Sequence, residues 1–187
     1  MNKLKNYVAA ALLGVCAQAF AGPTVSLVTA PAPVAVGSTF DVEVLVSDVV
    51  DLYSYQFTLT FNPSLFGATA ITEGPFLGTA GATFGDPGTI SNADGTISFV
   101  FSSLIGPVPG ASGSGSLAHI TFQALGGGTS ALTFSDAIFI DSALEDIDVS
   151  LVDGTLQAVP EPASFLLFGA GLAAVGAARR RQLSARG

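Results

Sequence analysis

Short runs of alternating apolar and polar residues dominate the middle of the chain. Across residues 39–47 every second residue is apolar. Across residues 53–61 the alternation is sharper, with aromatic residues and leucine at odd positions and serine, threonine and glutamine at even ones. A period of two is what a strand with one buried face produces. The two runs therefore predict two half-buried β-strands.

Similar runs follow, separated by clusters of Gly, Pro, Asn and Asp. Residues 92–95 predict a hairpin turn, and the strand after it is expected to bury Ile97, Phe99 and Phe101. Residues 107–115 are rich in Pro, Gly and Ser and predict a flexible loop. Seven to nine strands at this spacing predict an all-β fold, an antiparallel two-sheet sandwich.

The N-terminus carries the three parts of a secretory signal peptide. Two lysines precede an apolar run at residues 7–15, and Ala19 and Ala21 then form a small-x-small cleavage site. The apolar run is shorter than the roughly 20 residues that span a bilayer. We therefore expect residues 1–21 to be a signal peptide, cleaved after Ala21.

Cys16, the only cysteine, lies inside this signal. A lipoprotein would carry its lipid on this residue, but Val15 precedes it where the lipoprotein motif has a small residue. The mature protein is thus expected to have no thiol, no disulfide and no cysteine-based metal site.

At the other end, an apolar run at residues 163–178 lies between a proline motif and an arginine cluster. Sixteen residues at about 1.5 Å each make a helix of roughly 24 Å, which can cross a membrane if flanking arginines reach the interface. The arginines should stay cytoplasmic, leaving the rest of the chain outside. The motif and the cluster are formed by Pro160, Glu161, Pro162, Arg179, Arg180 and Arg181.

The order of these three parts over residues 159–187 resembles the PEP-CTERM sorting signal of Gram-negative bacteria. The resemblance implies that an exosortase recognises and cuts near the motif. The helix would then be a transient inner-membrane anchor, and the protein would reach the cell surface or the medium. A permanent C-terminal anchor is the alternative.

Charge is distributed unevenly along the chain. Residues 22–159 contain no Lys or Arg, whereas thirteen of the fourteen acidic residues lie there. Nucleic acid and anionic membrane surfaces are therefore excluded as partners, because binding either requires cationic side chains. The expected partners are cations, neutral polymers or a basic protein surface.

The sequence offers one candidate metal site and little catalytic chemistry. Asp141, Glu145 and Asp146 lie close together in a predicted loop and supply the hard oxygen ligands that Ca²⁺ prefers, without the spacing of an EF-hand. A solvated acidic loop is the alternative. His119 is the only histidine, on the outward side of a predicted strand, and no nucleophile or orienting group accompanies it. The sequence therefore predicts a protein that is not an enzyme.

Several segments resemble a cohesin domain, in the order of that family, across residues 24–158. The resemblance implies a nine-stranded jelly-roll sandwich, over a domain that we bound at residues 22–158, and adhesion to a calcium-loaded dockerin in surface-attached polysaccharide-degrading assemblies. The alternative is a carbohydrate-binding or polysaccharide-associated surface protein, because the fold is related to sugar-binding modules. The segments that carry the resemblance are 36–42, 55–65, 95–99, 115–122 and 153–156.

Overall fold

The computed structural model describes residues 22–29 and 33–160, and this part of the chain is all-β, with one short 3₁₀ turn at Leu77–Thr79. The strands in it are β1 Thr24–Val28, β2 Val34–Ala35, β3 Thr39–Thr60, β4 Phe66–Glu73, β5 Thr83–Asp86, β6 Thr89–Ser91, β7 Thr96–Leu104, β8 Ala111–Ala124, β9 Gly128–Asp141, β10 Ser150–Val152 and β11 Gly154–Val159. The prediction of an all-β sandwich is confirmed.

Strand β3 runs through both layers of the sandwich, where the sequence predicted two separate strands. Its first part pairs with β1 and β8, and its second part pairs with β7 and β9. Asp48 and Asp51, with φ of 56° and 62°, and two register shifts lie where the chain passes between the layers. Bulges and bends of this kind let one strand switch sheets at a corner. All strands are consequently linked in one hydrogen-bonded network.

The apolar faces of the two layers meet in a single core. As the alternation predicted, Tyr55, Phe57, Leu59 and Phe61 are buried. The Phe57 ring stacks on Tyr55 with centroids 5.9 Å apart and meets Phe134 edge-on at 5.8 Å. Aromatic contacts of this geometry add to the stabilisation from burial.

The prediction that Phe99 and Phe101 are buried is wrong. Phe99 is 65% exposed and has a φ of 57°, and Ser98 and Phe99 together lie opposite the single residue Thr58 of β3. This β-bulge reverses the alternation of β7. Beyond it, Val100 and Ser102 point inward, and Phe101 points outward.

The predicted flexible loop at residues 107–115 is also partly wrong, because β8 begins at Ala111. The Ser112 and Ser114 hydroxyls accept hydrogen bonds from the backbone amides of Asp51 and Asp48, both at 2.9 Å. These serines bind amide groups that the bent strand β3 leaves without regular ladder partners. The segment is therefore ordered by the corner of β3.

The chain enters and leaves the sandwich at opposite ends. Thr24 pairs with Ser47, near the β3 corner. Ala158 pairs with Gly128, and Pro160 follows beside Gly127 at the end where β3 begins. Within the part of the chain that the structure describes, no helix is long and apolar enough to cross a membrane. The predicted signal peptide and C-terminal helix lie outside the described residues.

Candidate interaction surface

Four large apolar side chains crowd the outer face of the layer formed by β5, β7, β9 and the second part of β3. Phe84 is 67%, Phe99 65% and Ile138 46% exposed, and Phe101 is half-buried. We call the surface formed by Phe84, Phe99, Phe101 and Ile138 the aromatic face.

The strand register explains why these residues lie together. Gln56 of β3 pairs with Phe101 of β7 on one side and with Ile138 of β9 on the other. Residues directly opposite each other point to the same face of a sheet, so the three side chains form one row. The Phe84 ring lies beside the row, with its centroid 6.5 Å from that of Phe101.

A cleft of about 260 Å³ opens where the edges of β4 and β5 approach each other. Tyr55, Ile71 and Val100 contribute apolar surface to it, and Glu73 and Asp86 contribute carboxylates. Phe101 also lines it, so the cleft adjoins the aromatic face. We call this feature the edge cleft.

Hydrogen bonds from the protein hold the Glu73 carboxylate in place. The hydroxyl of Ser102, a fully buried residue, donates a 2.6 Å hydrogen bond to Glu73 Oε1, and the Thr83 hydroxyl donates to Oε2 at 3.3 Å. Behind it, the Tyr55 hydroxyl donates to the Leu117 carbonyl at 2.6 Å. Burial, and to a smaller extent the negative charge of Glu73, raise the pKa of Tyr55 above its usual range. The cleft therefore presents a fixed carboxylate next to a neutral phenol.

The structure does not bring the candidate calcium ligands together. Asp141 Oδ1 accepts hydrogen bonds from the backbone amides of Ala143 and Glu145, both at 2.9 Å, and so stabilises its own loop. Asp146 instead lines a separate cleft with Asp148. Among the described residues, no three His, Cys, Asp or Glu side chains are grouped closely enough to hold a metal ion.

The lone histidine is half-buried on β8, between Glu43 of β3 and Thr72 of β4. His119 Nε2 lies 3.2 Å from the Ser116 hydroxyl. Ser116 is only 6% exposed, which keeps its oxygen away from a substrate in solution. This pair therefore lacks the access that a nucleophile and its base require.

Of the sorting and cleavage residues predicted from the sequence, only Pro160 is described. It lies exposed at the end of β11. Ala19, Ala21, Glu161, Pro162, Arg179, Arg180 and Arg181 lie outside the described residues.

The sequence pattern missed the aromatic face and the edge cleft. Phe84 lies in a glycine-rich stretch without clear alternation, and the bulge at Phe99 reverses the face on which Phe101 lies. The Glu73–Ser102 contact joins residues 29 positions apart, on strands whose proximity no local pattern indicates.

Comparison with known families gives two matches. A model of the cohesin domain matches residues 23–158, and a model of the PEP-CTERM protein-sorting motif matches residues 158–181. No curated protein matches the chain at a significant level.

Solved structures share the fold at low sequence identity. A non-cellulosomal cohesin from the archaeon Archaeoglobus fulgidus has a TM-score of 0.57 and 18% identity, covering 78% of this chain and 96% of its own. The third cohesin of ScaC from Acetivibrio cellulolyticus, solved with the ScaB dockerin, has a TM-score of 0.61 and 18% identity, covering 73% and 99%. The OlpC cohesin of Clostridium thermocellum, in complex with the dockerin Doc435, has a TM-score of 0.61 and 16% identity, covering 74% and 94%.

These matches confirm both resemblances that the sequence suggested. The family model spans nearly all of the described sandwich, and the sorting motif begins where β11 ends. The chain therefore belongs to the cohesin domain family and carries a PEP-CTERM protein-sorting motif directly after its cohesin domain.

Proposed function

We propose that this chain is an exported, non-enzymatic interaction module whose aromatic face binds a dockerin-like protein outside the cell. The observation that carries the proposal is the grouping of exposed apolar side chains on one sheet, with Phe84, Phe99 and Ile138 all more than 40% exposed. Single exposed apolar residues are ordinary, whereas contiguous ones mark interaction surfaces. Aromatic side chains are also enriched at protein interfaces.

The solved relatives support a partner of this class. The ScaC and OlpC cohesins were each solved in complex with a dockerin. The absence of Lys and Arg from residues 22–159 supports a partner surface that is apolar at its centre and neutral or basic at its rim.

The sorting motif supports export. We propose that an exosortase recognises Pro160, Glu161 and Pro162, and that residues 159–187 anchor the chain transiently in the inner membrane. The domain would then act at the surface of a Gram-negative-type cell, or outside it, in adhesion or matrix assembly. Pro160 is exposed beside Gly127, so the motif begins outside the packed sandwich, where an enzyme can reach it.

One observation favours a second candidate function, binding of an extracellular polysaccharide. The neighbouring rings of Phe84 and Phe101 lie on an open sheet surface, and exposed aromatic rings offer flat apolar surfaces on which sugars can stack. The two candidate functions differ in the ligand that the aromatic face binds, which is a dockerin-like protein in the first and a polysaccharide in the second.

The test compares protein and glycan binding by the same preparation. The full chain, purified in detergent and immobilised, is offered cell-envelope extract of its source organism and, separately, a glycan array, each with calcium and with a chelator. We expect capture of a dockerin-bearing protein with calcium and none with the chelator. Specific glycan binding without a protein partner would support the second candidate instead.

Matched variants tie the result to the aromatic face. Phe84→Ser combined with Ile138→Ser should lower capture at least about tenfold, which corresponds to roughly 1.4 kcal/mol. Val50→Ser changes a residue that is 73% exposed at the β3 corner, away from the face, and should leave capture unchanged. Equal capture by all variants would contradict the assignment of the face.

A further inference from the structure

The edge cleft combines apolar walls with fixed negative charge at its margin. Tyr55, Ile71 and Val100 line it together with the carboxylates of Glu73 and Asp86, in a volume of about 260 Å³. A ligand that fits both features has an aliphatic stem and a positively charged end. Lysine and arginine side chains have this form, because they place their methylene groups against apolar surface and keep the charged group at its polar margin.

No residue of the domain itself can supply an aliphatic stem with a positively charged end. Residues 22–159 contain no Lys or Arg, so a cation that pairs with Glu73 has to come from another molecule or from the ends of the chain. The ends hold all six basic residues, and the sorting motif assigns the C-terminal ones to a membrane segment. Charge complementarity therefore points to a partner protein as the source.

The orientation of the Glu73 carboxylate is also fixed before such a ligand binds. Ser102 and Thr83 each donate a hydrogen bond to one of its carboxylate oxygens. A carboxylate that is fixed before binding loses less conformational freedom on pairing than one that rotates freely. Glu73 nevertheless remains exposed, so a ligand can reach it from solvent.

We propose that the edge cleft receives one lysine or arginine side chain from the protein bound on the adjacent aromatic face. The charged group pairs with Glu73, and its aliphatic stem lies against Ile71 and Val100. The inference rests on the proposed function and specifies the chemistry of that partner: it carries a basic residue beside the apolar patch that covers Phe101.

The test uses a small probe, so that it does not depend on finding the partner. The full chain in detergent, with ¹³C-labelled Ile and Val methyl groups, is titrated with Nα-acetyl-lysine amide. The matched probe is Nα-acetyl-norleucine amide, which has an aliphatic stem without the charge. We expect the lysine probe to shift the Ile71 and Val100 methyl signals saturably, with a Kd in the millimolar range. The norleucine probe should bind at least about fivefold more weakly.

Two variants examine the carboxylates of the cleft, and a third serves as the control. Glu73→Gln removes the charge but keeps an oxygen that accepts from Ser102, and should weaken lysine binding at least about fivefold. Asp86→Asn should weaken it less, because the charged group pairs with Glu73 and the Asp86 carboxylate only adds negative charge to the same cleft. Glu145→Gln, which removes an exposed carboxylate elsewhere, should leave the affinity unchanged.

Three results would overturn the proposal. The first is that the Ile71 and Val100 methyl signals stay unshifted up to about 50 mM lysine probe. The second is that the norleucine probe binds as tightly as the lysine probe. The third is that glucose shifts the same signals more strongly than either probe. Each of these results leaves the capture experiment on the aromatic face unaffected. Conversely, loss of protein capture with normal binding of the lysine probe would count against the proposed function alone.

Discussion

The Ser142 hydroxyl donates a 2.6 Å hydrogen bond to the Asp51 carboxylate across 91 positions of sequence. The other oxygen of Asp51 accepts the backbone amide of Gly110, also at 2.6 Å. One side chain thus joins the β3 corner to the loop before β8 and to the loop after β9. These contacts fix the end of the sandwich that is opposite to Pro160.

We expect the contribution of Asp51 to the stability of the fold to depend on pH. The Ser142 hydroxyl, and next the Gly110 amide, lower the pKa of Asp51 from its ordinary value of 3.8. A carboxyl group with a lowered folded-state pKa stabilises the fold above its unfolded-state pKa, and this stabilisation is lost as the pH falls through the folded-state value. Asp51→Asn should lower the Tm at pH 7, and the gap to the unsubstituted protein should narrow below about pH 4.

Asp48→Asn is the control for this measurement, because Asp48 also has a positive φ, which asparagine tolerates. Thermal unfolding followed by circular dichroism from pH 7 to pH 2 gives the comparison. If the Tm difference between Asp51→Asn and the unsubstituted protein stays constant over this range, the lowered pKa of Asp51 does not contribute to stability as we expect.

The close packing of Gly110 against the β3 corner predicts the effect of Gly110→Ala. A Cβ atom at Gly110 would collide with the backbone carbonyl of Asp51, whereas a Cβ at Gly78 meets nothing within 4 Å. We expect Gly110→Ala to lower the free energy of unfolding by about 1–3 kcal/mol, as overpacking does. Gly78→Ala should stay within about 0.5 kcal/mol, as changes at open surface sites do. Urea denaturation of both variants tests this, and equal stability would show that the corner relaxes freely.

Loss of an aromatic ring should lower stability far more in the core than on the aromatic face. Phe57 is fully buried between Tyr55 and Phe134, so Phe57→Ala should lower the free energy of unfolding by about 3–5 kcal/mol. Phe84 is 67% exposed, and Phe84→Ala should change stability by less than about 0.5 kcal/mol. A large loss of stability in Phe84→Ala would mean that this ring serves the fold rather than a partner.

The sequence predicted those parts of the fold that depend on near neighbours in the chain. The alternation around Phe57 identified its strand and its buried face correctly, because burial of one sheet face imposes a period of two. The turn at residues 92–95 was likewise identified, and it joins β6 to β7 as predicted.

Features that depend on distant residues were missed. Residues 111–115 are glycine- and serine-rich, and they form a strand because they pair with β3, where Ser112 and Ser114 also bind amides some sixty positions away. The bulge at Phe99 depends on its position opposite Thr58, and this one irregularity moves Phe101 from the expected core to the outer face. For this reason the sequence indicated the family but did not predict the aromatic face.

Sorting should depend on the proline motif and not on the acidic loop. Replacing Pro160 and Glu161 together by alanine should leave the protein in the inner-membrane fraction, because the exosortase would no longer recognise its site. Glu145→Ala, outside the motif, should be released normally. Cell fractionation followed by immunoblotting measures both, and normal release of the motif variant would rule out exosortase-dependent sorting through this site.

The position of β11 determines how the domain would carry a mechanical load. This last strand lies between β9 and β2, pairing antiparallel with one and parallel with the other, and Pro160 follows it directly. A pull applied through the C-terminal segment would act along the strand axis, roughly perpendicular to the interstrand hydrogen bonds. Both ladders would then be sheared together instead of being opened one bond at a time, so a pull on this end would not peel the last strand from its neighbours.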